Sequence, residues 1–400
     1  MIPSLEVAVR EGRLSEADGR HLSRAIELGR DGWGRVHPNP MVGAVVARDE
    51  EVLGEGRHEV LGGAHAEVAA LSGCGSARGA TLYTSLEPCR HHGRTPPCTE
   101  AVRAAGVARV VFWAADPGAD AGGGGEWLRK RGLTVDGPFG GRDDWRTENP
   151  FFFHDPAGPR PYLALKLAVS LDGRIAPAGG RRVWLTGPES RREVHRLRAG
   201  FDAIMVGRGT WEADDPRLTA RGPVTPRVPP VPVLLDRRGR ADPDLRALAG
   251  AACARGVVVT SGERVATLQQ RLGPLADIVA VPATPHGFDL GALLAELHGR
   301  GVTRVLCEGG GRVAASLLAA RLVDRIYLFI APVFIGGDGV PAFPLGAAGC
   351  GMDNEAARAA PGGSDLARAA EPLSPTRGWQ TSADPVRFGD DTLIVLDRSA

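Results

Sequence analysis

Lysine is almost missing from this 400-residue chain: Lys130 and Lys166 are the two that occur, so 46 of the 48 basic residues are arginine. Against that bias a lysine calls for a local reason. Cysteine is also sparse. The six, Cys74, Cys89, Cys98, Cys253, Cys307 and Cys350, fall far below the density of a disulfide scaffold. Aromatic residues make up 5%, and neither sign of charge dominates, with 48 basic and 47 acidic residues and a net charge of +1. That balance argues against a strongly basic nucleic-acid binder and against an acidic tail. Long apolar runs are missing too. The longest, Ile326 to Ile335, falls well short of the roughly 20 residues needed to span a bilayer. The opening Met1-Ile2-Pro3-Ser4-Leu5-Glu6 has no basic stretch followed by an apolar core, so no signal peptide is read. The expectation is a cytoplasmic, reduced protein with no membrane or nucleic-acid partner. In that setting paired cysteines are more often metal ligands than bridges.

What is present is ordinary for a soluble globular chain: 43% hydrophobic and 24% charged residues. At roughly 150 residues per domain the length predicts two or three domains, and 55 glycines with 31 prolines predict many loops. Residues 1–20 read as a polar arm or short helix. His21 to Arg30 has helical spacing, Val42 to Ala47 reads as a buried strand and Val52-Leu53 as a pairing stub. A helix is predicted over Ala64 to Leu71, a strand over Thr81 to Leu86, a helix over Pro97 to Ala105, a strand over Arg109 to Ala114 and a helix over Trp127 to Arg131. Strands alternating with helices imply an α/β three-layer unit ending near residue 145. After the Pro-rich stretch Phe153 to Pro161 the alternation restarts. Strands are predicted at Tyr162 to Val169, Ala203 to Val206, Val231 to Asp236, Val257 to Thr260, Arg304 to Cys307, Asp324 to Ile330 and Thr392 to Leu396. Helices are predicted at Pro188 to Ala199, Leu290 to His298 and Val313 to Ala320, and 345–385 reads as an irregular insertion. There is no internal repeat.

Three residues in the first half carry metal chemistry. His65 precedes Ala66-Glu67 at a helix start, Cys89 follows Pro88 in a turn after a strand, and Cys98 follows Pro96-Pro97 in the first turn of another helix. One imidazole and two thiolates make a three-ligand zinc set that leaves a fourth position for water. Zinc lowers the pKa of such water from 15.7 to about 7, and Glu67 is placed to shuttle protons. The pattern H-x-E followed by P-C-x-x-C is that of zinc deaminases, but here eight residues separate the cysteines. A helix-capping histidine with two small core cysteines would also fit the spacing, and His91 and His92 are rival ligands. The other cysteines lack such a context.

Three runs settle this point. His37-Pro-Asn-Pro-Met-Val-Gly-Ala44, Gly63-Ala-His-Ala-Glu-Val68 and Leu86-Glu-Pro-Cys-Arg-His-His-Gly-Arg-Thr-Pro-Pro-Cys98 closely resemble the bifunctional deaminase/reductase family of riboflavin biosynthesis, which keeps the longer cysteine spacing. The likeness runs from about residue 20 to 335. It implies an α/β protein with an N-terminal cytidine-deaminase-like three-layer α/β/α domain over 15–150. A linker over 151–161 and a C-terminal dihydrofolate-reductase-like α/β domain over 162–400 would follow. It also implies that Asn39 and the Gly43-Ala44 backbone hold the base.

The second half has no G-x-G-x-x-G fingerprint; Val206-Gly-Arg-Gly-Thr-Trp211 lacks the third glycine. Instead Glu308-Gly-Gly-Gly311 leads from a strand into a helix, which suits either an anion cradle or a tight turn. The run Lys166-Leu-Ala-Val-Ser-Leu-Asp-Gly-Arg174 takes one of the two lysines into a turn. With Trp184-Leu-Thr186, Gly207 to Thr210 and Ala213-Asp-Asp-Pro-Arg-Leu-Thr219, it resembles the reductase half of the same family. The resemblance implies NADPH contacts at Val169, Trp184, Thr210, Asp214, Gly310, Gly311, Arg312, Val313, Ala314, Ala315 and Ser316. It implies substrate contacts at Lys166, Arg182, Arg198, Leu218, Arg221 and Glu308. Arginines suit a ribose 5′-phosphate because their fork binds two oxygens at once. Arg198 could equally sit on a solvated helix face with Arg191, Arg192 and Arg196, and Asp214 could be a turn former.

The reading is a two-step enzyme. Zinc-dependent deamination of a diaminopyrimidinone ribosylamine 5′-phosphate is followed by NADPH reduction of the ribosyl group to ribityl, with one Zn²⁺ per chain. Its partners would be the small phosphorylated pyrimidine and further copies of itself, in a dimer or tetramer. The rivals are another base or nucleoside deaminase fused to an unrelated reductase, and a module in which zinc only staples a loop.

Overall fold

The computed structural model describes residues 2–92, 96–118, 120–154, 158–249, 255–284, 287–344 and 378–398. The chain divides into two compact units, Met1–His154 and Asp155–Ala400.

In the first unit the elements run α1 (Pro3–Arg10), α2 (Glu16–Arg30), β1 (Gly43–Arg48), β2 (Glu51–Arg57), α3 (Ala66–Ser72), β3 (Thr81–Leu86), α4 (Cys98–Ala105), β4 (Arg109–Ala114), α5 (Gly124–Arg129), β5 (Thr134–Asp136) and α6 (Arg142–Glu148). The sheet order is β2-β1-β3-β4-β5. β1 is antiparallel to β2 and β3, whereas β3, β4 and β5 are parallel. β1, β3 and β4 are buried along almost their whole length, as expected of strands covered on both faces. α2 lies so close to β1 that a Cβ on Gly43 would sit 2.1 Å from the Ala25 carbonyl oxygen, so only glycine fits there.

Of the arm or short helix expected over residues 1–20, the structure shows the short helix, α1, followed by the start of α2. Leu5 and Ala8 of α1 are fully buried. α2 starts five residues before the predicted His21, because Ser15 and Asp18 form a capping box at 3.0 and 3.2 Å. The expected stub at Val52-Leu53 is the seven-residue strand β2, whose outward face is too polar to show a strand pattern. Helix α6, not anticipated, buries Trp145, and Phe152 and Phe153 after it pack on the same core. The Asn149 side chain accepts a bond from the Met41 N–H at 2.6 Å, which ties the 37–42 loop to the end of this helix.

The second unit contains β6 (Tyr162–Ser170), β7 (Arg174–Ala176), α7 (Pro188–Ala199), β8 (Ala203–Gly207), α8 (Arg208–Asp214), β9 (Val231–Leu235), α9 (Arg246–Ala249), β10 (Gly256–Thr260), α10 (Val265–Leu272) and β11 (Ala276–Ala280). It continues with β12 (Ala283–Thr284), β13 (Gly287–Phe288), α11 (Leu290–Gly299), β14 (Arg304–Cys307), α12 (Gly311–Ala319), β15 (Arg325–Ala331), β16 (Val340–Pro341), β17 (Trp379–Thr381), β18 (Val386–Phe388) and β19 (Asp391–Arg398). The main sheet runs β11-β10-β9-β8-β14-β6-β15-β19-β17, with β18 pairing β19. It is parallel from β11 to β15, and β19 is antiparallel to β15. The carboxyl ends of seven strands therefore share one edge, the place where open α/β sheets bind ligands. Most of the residues assigned to the irregular 345–385 insertion lie outside the described residues, as do Cys253 and Cys350. α8, α10 and β11 were not anticipated.

Candidate active sites

In the first unit, His65 immediately precedes α3, Cys89 sits in the turn after β3, and Cys98 opens α4. These three come together: one ligand atom from each lies within 4.8 Å of the others. His65 Nδ1 is 3.2 Å from Cys98 Sγ and 3.6 Å from Cys89 Sγ. The Cys98 N–H, the first of α4, donates to Cys89 Sγ at 3.4 Å, so an exposed helix-end amide faces a sulfur. The Cys98 thiol, acting as donor to Cys89, holds the Cys89 thiolate down to about 4, and the same contact together with burial pushes Cys98 far up. A divalent ion held by these atoms would displace the remaining Cys98 thiol proton. Among the described residues no other three His, Cys, Asp or Glu side chains gather in this way. His91 lines the adjoining cavity, while His92 is exposed and faces Glu100 at 3.7 Å.

Glu67 lies in the first turn of α3, is 4% exposed, and its Oε2 accepts from the Cys98 thiol at 3.3 Å. Burial, reinforced by the Cys89 thiolate, pushes its carboxyl up to about 7. A cavity of 500 Å³ opens over His65, Glu67 and Cys89 and is also lined by Asn39. Sequence reasoning missed His58, whose surroundings fix Asn39. His58 Nδ1 donates to the Ala64 carbonyl at 2.9 Å, so its Nε2 accepts from Asn39 Nδ2 at 3.1 Å. Burial depresses the His58 pKa and keeps the ring neutral. With its nitrogen engaged, Asn39 offers its Oδ1 as the acceptor. Glu87, quoted in the motif without a role, is 8% exposed and takes backbone N–H bonds from Asp116, Gly123 and Gly125. It anchors the loop behind the cavity. No motif marks His58, and Glu87 stands inside one without a legible role, because both act through backbone groups or a neighbour's side chain.

In the second unit a cavity of 460 Å³ lies at the carboxyl edge of the sheet. It gathers Lys166, Arg182, Trp184, Arg198, Thr210, Asp214, Leu218, Arg221, Glu308 and Gly310. Val169, Gly311, Arg312, Val313, Ala314, Ala315 and Ser316 are not among its lining. Val169 and Ala314 are core residues, and Arg312 is exposed. Arg198 is not on a solvated face. Its Nε and one amino group bind Glu308 at 2.6 and 2.8 Å, and the other amino group binds the Thr219 carbonyl at 3.0 Å. Burial alone would raise the Glu308 pKa, but Arg198 and Lys166 hold it at about 2. Burial depresses the Lys166 pKa, with Glu308 pulling the other way. Arg182 and Arg191 stack on exposed Trp184 at 4.8 and 4.9 Å.

His195, also unforeseen, accepts the Arg221 N–H at 3.1 Å and so steadies the loop carrying Leu218 and Arg221. Burial and the adjacent Arg198 and Arg221 hold its pKa down to about 4. Beside this cavity the Gly207 N–H donates to the Gly309 carbonyl at 2.7 Å. A Cβ on Gly207 would come within 2.6 Å of Val313 Cγ2, and one on Gly310 within 3.2 Å of Thr210 Oγ1. Bare backbone therefore faces the edge where the nine-residue helix α12 begins, a cradle that suits a phosphate.

Residues 15–114 match the family described as the cytidine and deoxycytidylate deaminase zinc-binding region, and residues 161–355 match the RibD C-terminal domain. The riboflavin biosynthesis protein RibD of Actinobacillus pleuropneumoniae is 35% identical over 84% of this chain and 89% of its own length. That of Escherichia coli (strain K12) is 37% identical over 80% and 89%. A Thermotoga maritima crystal structure is described as a diaminohydroxyphosphoribosylaminopyrimidine deaminase/5-amino-6-(5-phosphoribosylamino)uracil reductase. It superposes with a TM-score of 0.72 at 30% identity, covering 96% of this chain and 99% of its own. Among the described residues no helix is long and apolar enough to cross a membrane.

Proposed function

The chain belongs to the RibD family of riboflavin biosynthesis and is a bifunctional deaminase and reductase, and from that premise we propose how its residues divide the work. The first unit would take 2,5-diamino-6-(5-phosphoribosylamino)pyrimidin-4-one, and the second would reduce the deaminated product with NADPH. The observation that carries the first assignment is the His65, Cys89 and Cys98 cluster beside a protonatable Glu67. His65 Nδ1 and the two sulfurs would hold zinc. When bound, zinc supplies Lewis acidity and an activated water.

Asn39 Oδ1, oriented by His58, would accept from the pyrimidine edge. Glu67 Oε2 would take a proton from the attacking water and return it to the leaving amine, a role matched to a carboxyl poised near neutrality. The Cys98 N–H keeps negative charge on Cys89 throughout. In the second unit the glycine cradle at Gly207, Gly309 and Gly310 fits a nicotinamide dinucleotide. Arg221, held by His195, would receive the 5′-phosphate. Lys166, beside the Glu308–Arg198 pair, would face the ribosyl group that accepts hydride. The enzyme would act in the cytoplasm as a homo-oligomer, a dimer or tetramer.

The test offers the diamino substrate to the full chain and identifies products by mass. Without NADPH, the expected product carries oxygen in place of one amino group. With NADPH, two further hydrogens appear. A reduced product that keeps both amino groups would overturn the assigned order.

A further inference from the structure

Four consecutive residues at the deaminase cavity fall outside both matched regions. Residues 149–152 follow α6 and lie between 15–114 and 161–355. They hold the loop that carries Asn39 at two points and enter the cavity at a third. The Phe151 ring packs on Trp33 at 5.2 Å and meets His37 edge-on at 6.1 Å. Asn149 is 5% exposed and engages both main-chain groups of Met41. Its Oδ1 accepts the Met41 N–H at 2.6 Å, and its Nδ2 donates to the Met41 carbonyl at 3.4 Å. Residues 40–42 belong to no helix or strand, so this amide supplies the pairing that a neighbouring strand gives elsewhere. Asn39 stands two positions before Met41, with its own amide on His58.

The third point is Phe152, which lines the same cavity as Asn39, His65 and Glu67. Its ring stands edge-on to Trp145 at 6.4 Å and to Phe153 at 5.8 Å. Trp145 is itself 1% exposed in the core, so the Phe152 ring is held on a rigid support. An aromatic ring fixed in this way loses little freedom when a flat ligand covers it. Asn39 and Glu67 suit the polar edge of a pyrimidine, whereas its faces need an apolar wall. Resting on the deaminase reading above, we propose that residues 149–152 complete the pyrimidine site. Phe152 stacks on the base, and Asn149 is a positioning residue that fixes Asn39 through Met41.

Deamination by the full chain is measured over a range of substrate concentrations, with zinc content and NADPH oxidation on deaminated substrate as controls of folding. F152L keeps the apolar bulk and removes the ring. Its KM should rise about tenfold while kcat stays within about twofold, the signature of lost stacking that serves ground and transition state alike. F152Y keeps the ring and should return KM to within about threefold of native. N149A should raise KM roughly 3- to 10-fold, the usual worth of a neutral hydrogen bond. N149D keeps the acceptor without the donor and should fall between N149A and native. In an Asn39→Ala background N149A should add almost nothing, because a residue that acts through another is not additive with it. A native KM in F152L, or equal impairment of F152L and F152Y, would overturn the stacking role. Zinc loss in F152L would reduce the ring to a support of the fold and overturn it as well. Full additivity of N149A with Asn39→Ala would overturn the positioning role. Each of these results leaves the deaminase reading intact. A native chain that does not deaminate the pyrimidine would overturn both.

Discussion

The two units place their chemistry in opposite ways. The first concentrates it: three ligand atoms within 4.8 Å and one carboxylate in contact with them, all delivered by the starts of α3 and α4 and one turn. The second spreads it from Lys166 to Gly310 along the edge of a parallel sheet. A metal needs a few donors of uncommon type at fixed distances. A dinucleotide and a sugar phosphate need length, bare backbone and distributed charge. The first site should therefore fail all at once when a ligand is lost, and the second should fail by degrees.

The sharpest break of this contrast is Cys89→Ser. Zinc measured by elemental analysis should fall to background and deamination should be abolished, while NADPH oxidation with pre-deaminated substrate continues. Zinc retained at full occupancy would remove Cys89 from the ligand set. Next comes Glu67→Gln, which should keep its zinc and lose deamination by roughly 10²- to 10⁴-fold, the usual worth of a positioned proton shuttle. Loss of reduction as well, in a folded variant given deaminated substrate, would show that the sites are not independent.

The smaller effects belong to the second unit. Arg198→Ala leaves Glu308 buried without its partner and should cost roughly 3–5 kcal/mol of stability, read by denaturant unfolding. The same pair sets a pH window. The Glu308 pKa in the folded chain is about 2, below its ordinary 4.5, so its stabilisation is complete above about 4.5 and is lost as pH falls toward 2. Glu308→Gln should flatten the stability profile across that window. An unchanged profile would assign the acid lability to other carboxylates.

The same contrast explains what could be read from the residues alone. His65, Glu67, Cys89 and Cys98 lie within 34 positions and carry rare side chains, so their pattern stands out. Buried strands such as Thr81–Leu86 and Arg109–Ala114 match the apolar runs that suggested them. β2 was obscured because Gly54 and Gly56, which lie against α3, carry no side chain to mark a buried face. His58, Glu87 and His195 were missed because each acts by orienting a neighbour, a relation that exists only after folding.

β19 has a consequence for the order in which the protein is made. Its first residue, Asp391, accepts bonds from the Gly187 N–H at 2.8 Å and the Ser190 hydroxyl at 2.6 Å, fastening the start of the helix that carries His195 and Arg198. Every described element of the deaminase unit precedes residue 155, so that half can finish while synthesis continues. The reductase cavity instead waits on residues 391–398, more than two hundred positions after its first strand. During translation the nascent polypeptide thus passes through a stage at which it can gain its first activity and cannot yet have the second.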